Sequence, residues 1–90
     1  MINFDRIEQI YGVEMLKNIK ENKEEVGKNI DYMIKLNFKD IQDIFERITP
    51  IFITKNDLFK NKINTLIRKL GISYVEIIEN NLEILEELIW

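Results

Sequence analysis

Cysteine and histidine are both absent from the 90 residues, proline occurs once and glycine three times. Without cysteine there is neither a disulfide framework nor a thiolate metal site, and without histidine no imidazole binds metal or shuttles protons. Both absences remove large parts of enzymology. Alanine is missing too, while isoleucine, asparagine and lysine dominate, a bias that follows A- and T-rich codons and points to an AT-rich genome. Isoleucine is a poorer helix former than alanine or leucine, so helices here rely on packing rather than propensity. No apolar run approaches the ~18 residues of a membrane span, and Asp5 and Glu8 fall where a signal peptide needs its apolar region. We expect a cytoplasmic protein that makes no membrane contact.

Thirteen bases against sixteen acids leave a net charge of −3, which suggests neither a general nucleic-acid binder nor a disordered acidic tail. The chain reads as one domain, 1–90, and at this size it buries only about 60–65% of the surface its unfolded form exposes. The core must therefore use most of the apolar residues.

The punctuation is helical. In Lys69-Leu70-Gly71-Ile72-Ser73-Tyr74-Val75-Glu76, Leu70 closes an apolar stripe, Gly71 suits the positive φ of a helix C′ position, and Ser73 with Glu76 forms a capping box. The same grammar recurs from Lys35 to Asp40, with Asn37 in the place of glycine, and more faintly at Tyr11-Gly12-Val13. Asn3 is placed to cap a first helix whose Phe4, Ile7, Ile10 and Tyr11 share a face.

From Val13, the positions Leu16, Ile19, Val26, Ile30 and Met33 keep a helical rhythm to Leu36, with Lys23 standing where that rhythm wants an apolar residue. Gly27 costs about 1 kcal/mol relative to alanine inside a helix, and Asn22 to Asn29 is polar apart from Val26. The segment reads as two helices, or as one bent near Gly27. Next, Ile41, Ile44, Phe45 and Ile48 make a stripe that Pro50 ends, with Thr49 as the boundary, because the residue before proline is pushed out of the helical region. Ile51-Phe52-Ile53 reads as a core plug, and Thr54 with Asp57 resembles another capping signal.

A helix from Lys55 to Leu70 would bury Leu58, Phe59, Ile63, Leu66, Ile67 and Leu70, with Lys55, Lys62 and Lys69 along one edge of that stripe. The final helix, Tyr74 to about Ile89, puts Glu76, Glu79, Asn80, Glu83, Glu86 and Glu87 on one half and its apolar residues on the other. That apolar half spans about 180°, wider than the roughly 100° stripe a surface helix needs. It lies in a groove between two helices of its own domain, or it is a partner surface. In the second case Val75, Ile78, Leu82, Leu85 and Ile89 form a coiled-coil seam flanked by Asn81, and a dimer follows.

Shifting the chain by 34 residues lays Tyr32, Met33, Leu36, Phe38, Ile41, Ile44, Ile48 and Ile51 onto Leu66, Ile67, Leu70, Ile72, Val75, Ile78, Leu82 and Leu85. Every pair is apolar and Asn37 falls on Gly71, a period that signals two stacked helical repeats of about 34 residues, although any two amphipathic helix pairs of similar length also slide into register. The pattern Asn29-Ile30-Asp31-Tyr32-Met33, Leu36-Asn37-Phe38, Asp40-Ile41, Ile44-Phe45 and Pro50-Ile51-Phe52 resembles a repeat of the mitochondrial transcription termination factor family. The second copy would run from Ile63 to Leu85, so the resemblance covers about residues 28–85. It implies stacked helical units with a basic groove for nucleic acid. This chain departs from it in having no proline opposite Pro50 and an acidic background, and fold does not imply function.

Charge is the best functional clue. Residues 54–70 carry +4 and residues 71–90 carry −5. An interaction module would use the acidic final helix, with Glu76, Glu79, Glu83, Glu86 and Glu87 steering a basic partner while Leu82, Leu85 and Ile89 supply affinity. A nucleic-acid binder of the termination-factor type would instead set Lys55, Lys60, Lys62, Arg68 and Lys69 against phosphates.

Catalysis has little support. Glu21, Glu24 and Glu25, like Asp40, Asp43 and Glu46, lie in mixed-charge stretches, and no glycine-rich phosphate loop or nucleophile motif is present. We expect a small all-α domain of five or six short helices packed as antiparallel helical hairpins. It would be a non-enzymatic protein-binding module that needs no cofactor or small-molecule substrate and binds another protein or itself.

Overall fold

The computed structural model describes residues 3–87. Within them the chain is all-α, as expected, and no strand occurs. The helices are α1 (Asp5–Tyr11), α2 (Val13–Glu21), α3 (Lys23–Lys35), α4 (Ile41–Arg47), α5 (Thr49–Phe52), α6 (Asn56–Leu70), α7 (Tyr74–Asn80) and α8 (Glu83–Glu86), with a 3-10 turn at Gly71–Ser73. Helix α3 is the hub, touching α2, α4, α5 and α6, while α1 packs on α2 and α4.

There are more helices than expected because Thr49–Phe52 forms a short helix of its own and the final helix divides at Asn81. The long segment after Val13 divides at Asn22 (φ −114°, ψ 30°), and Gly27 lies inside α3. Helix α4 stops at Arg47, Ile48 turns out of the helix (φ −131°, ψ 41°), and Pro50 sits in the first turn of α5. That position needs no amide hydrogen, so proline opens a helix there rather than ending one. The final helix, expected to run on from Tyr74, breaks at Asn81 (φ −141°, ψ 68°) before α8.

The turns hold. Asn37 and Gly71 both have positive φ, 71° and 79°. With ψ at −159°, Gly71 occupies an extended region open essentially to glycine alone. Several caps differ from expectation. Ser73 makes no side-chain cap bond, and neither Thr54 nor Asp57 caps α6. Instead Glu25 of α3 accepts the Asn56 amide at 3.2 Å. Asp40 does cap α4, accepting from the Asp43 amide, and Asn3 accepts from the Asp5 amide at 2.8 Å. Tertiary contacts also supply two C-terminal caps. Tyr11 Oη lies 2.8 Å from the Glu46 carbonyl at the end of α4, and Tyr74 Oη donates to the Leu36 carbonyl that follows α3.

The core runs along an aromatic row. Phe45, Phe52 and Phe59 are fully buried with ring centroids 5.2 and 5.5 Å apart. Phe4 and Tyr32 extend the row at its two ends. The Ile51-Phe52 plug is core, as expected, whereas Leu58 is 52% exposed and takes no part in it. Ile7, Ile19, Val26, Met33, Ile44, Ile48, Ile63, Ile78 and Leu85 are buried around it.

The 34-residue offset is visible in the elements themselves. It carries α5 onto α8 residue for residue and α4 onto α7 within one residue. It also pairs buried Ile44 with buried Ile78, and buried Ile51 with buried Leu85. The pairing fails most at Phe38, which is 5% exposed while its counterpart Ile72 is 99% exposed. Phe38 meets the Tyr74 ring edge-on at 6.1 Å.

Candidate protein-binding face

The acidic residues are placed by α7 and α8. Glu76, Glu83, Glu86 and Glu87 are exposed, and Glu79 is half-buried beside the Lys39 amide. The apolar side of the same helices faces inward. Leu85 and Ile78 are fully buried, and Val75 and Leu82 pack against the core. The wide apolar half therefore sits in a groove of its own domain, and a coiled-coil seam on these residues is not available to a partner. Leu85 in particular cannot supply the affinity expected of it. Ile89, the last residue of that seam, lies outside the described residues.

Two further elements, α1 and α4, bring groups to the acidic side. Glu79, Glu83 and Glu86 share a groove of about 600 Å³ with Asp43 and Glu46 of α4, and Ile10, Tyr11 and Leu82 contribute its apolar lining. Two of these acids are neutralised. Glu46, nearly buried, meets Arg6 at 3.5 Å and Gln42 at 2.7 Å, and Asp43 pairs with Arg47 at 3.1 Å. The mixed-charge stretch around Glu46 does not reveal its burial, which depends on α1 lying across α4. Among the described residues, Glu76, Glu83, Glu86 and Glu87 have no ion-pair partner.

The basic residues do not form one surface. Lys60 Nζ lies over the Tyr32 ring at 5.7 Å, on the side of α6 that faces α3. At 100° per residue Lys62 stands about 160° away from it, so Lys55, Lys62 and Lys69 occupy the other edge. Lys55, Arg68 and Lys69 are exposed, Lys62 is half-buried, and no ion pair joins Lys55, Arg68 or Lys69 to the glutamates of α7 and α8. Lys60 instead shares a groove of about 470 Å³ with Lys28, Lys35 and Asp31 of α3. The seven-residue spacing of Lys28 and Lys35 was a readable signal for this second basic edge.

Among the described residues no group of acids is arranged to hold a metal ion, and no helix is long and apolar enough to cross a membrane. No family model matches the chain, and neither does any curated protein or solved structure.

Proposed function

We propose that this is a non-enzymatic, cytoplasmic protein-binding module that recruits a basic segment of a partner through the α7–α8 face. The observation that carries the reading is the set of four exposed carboxylates, Glu76, Glu83, Glu86 and Glu87, which have no ion-pair partner among the described residues, two of them, Glu83 and Glu86, lining a groove with Ile10, Tyr11 and Leu82. Unpaired like charges on one face steer an oppositely charged partner, and a nearby apolar lining gives it something to bury. The test is Glu83→Lys with Glu86→Lys. Both sites are exposed, so the fold tolerates the change, and capture of a partner from cell extract should be lost. Capture at unchanged affinity would rule the acidic face out.

A second reading has its own observation. Lys28, Lys35 and Lys60 converge from two helices around Tyr32, an arrangement suited to phosphate contacts that position a nucleic acid without reading its sequence. It is also the activity that the termination-factor resemblance implies. Fluorescence anisotropy with labelled duplex DNA and single-stranded RNA tests it. Binding should fall steeply with salt and vanish in Lys35→Glu with Lys60→Glu, and absence of binding at low salt removes this reading.

A further inference from the structure

A different surface lies on α2 and α3. Between these helices runs an open groove of about 500 Å³, walled by Leu16 and Ile19 of α2 and by Val26 and Ile30 of α3. Phe4 closes one side, held edge-on to Phe45 at 5.6 Å while remaining partly exposed. The lining is almost wholly apolar. Its charged members are two ammonium groups, Lys20 and Lys23, and no carboxylate.

Gly27 also lines this groove. It stands mid-helix with an ordinary helical backbone, and a side-chain carbon added there would meet no atom of the described residues within 4 Å. The chain's own packing has no need of the missing side chain, although glycine weakens a helix interior relative to alanine. What a glycine does permit is a closer approach to α3 by a backbone or side chain from outside.

We infer that this groove docks one amphipathic α-helix of a partner protein, with carboxylates flanking its apolar stripe. The apolar lining buries the stripe, Gly27 lets the incoming helix sit close, and Lys20 and Lys23 accept an acidic flank while rejecting a basic one. This ligand has the opposite charge from the one assigned to α7–α8, so the inference does not rest on that assignment.

The probe is a displayed library of helical peptides about 18 residues long, enough for a stable helix. Its apolar stripe is fixed, and its flanking positions are drawn from glutamate, glutamine and lysine. The full chain should enrich glutamate flanks. Gly27→Leu should raise the Kd of an enriched peptide at least about tenfold by filling the groove, while the melting temperature stays at or above that of the wild type. Lys20→Glu with Lys23→Glu should turn the enrichment toward lysine. Enrichment of lysine flanks by the wild type, failure to select any binder, or unchanged affinity in Gly27→Leu would overturn the inference. So would a dimer in sedimentation that Gly27→Leu dissociates, since a second copy of the chain would then be the occupant.

Discussion

Asn56 donates from its side-chain amide to Asn29 Oδ1 at 3.0 Å, tying the start of α6 to the middle of α3. Asn29 is fully buried, and its own amide nitrogen donates to the carbonyls of Phe52 at 2.9 Å and Thr54 at 2.7 Å. One carboxamide thus satisfies the chain where α5 gives way to α6. Among the described residues no buried side-chain polar atom lacks a partner, and burial of this amide is tolerable only because its bonds are made.

Asn29→Leu should therefore destabilise the protein by about 2–4 kcal/mol, because two carbonyls lose their donor inside the core. Urea unfolding measures this. Asn61→Ala, at an exposed position of α6, should change stability by no more than about 0.5 kcal/mol. Equal effects at the two sites would contradict the account of Asn29.

The same glycine-to-alanine change should have opposite signs at two positions. Gly27→Ala adds a methyl in open space within a helix and should stabilise by about 0.5–1 kcal/mol. Gly71→Ala forces a side chain onto φ 79°, ψ −159° and should cost about 1–3 kcal/mol, although space is open there too. Thermal unfolding of the two variants separates backbone strain from crowding.

Phe38 and Ile72 correspond under the 34-residue offset but not in their burial. Phe38→Ser should cost about 3–5 kcal/mol, as loss of a buried aromatic does, while Ile72→Ser should stay within about 0.5 kcal/mol of wild type. Denaturant midpoints decide the matter. A large loss at Ile72 would mean that another surface covers it in solution.

Phe52 stands between Phe45 and Phe59 in the aromatic row, with both rings within 5.5 Å centroid to centroid. Phe52→Ala should remove about 3–5 kcal/mol, a large part of the roughly 5–15 kcal/mol that holds a domain together. A retained melting temperature in calorimetry would show that the row is not the centre of the core.

Much of the fold was legible from residue spacing. The stripes around Ile44, Phe45, Phe59 and Ile63 are core because a helix puts positions three and four apart on one face, whatever covers that face. The turns at Asn37 and Gly71 were legible for an equally local reason, since few residues accept a positive φ. The candidate site was only half legible. Exposed glutamates on α7–α8 follow from the pattern, but it left open whether the apolar half with Leu85 faces its own domain or a partner. Neither does the meeting of Lys60 with Lys28 and Lys35.

By itself, then, the sequence determined what depends on neighbours within about one helical turn: helix as the element, the stripe on each helix, and the glycine and asparagine turns. The tertiary structure decided that the final helix breaks at Asn81 and that Pro50 opens a helix of its own, and it set the division of the long segment at Asn22 rather than Gly27. It alone made Asn29 a core residue, sent Glu25 to the start of α6, and covered Phe38 while leaving Ile72 bare. Local spacing sets which residues share a face. Which face is buried, and which buried polar group finds a partner, depends on segments more than twenty residues away in the chain.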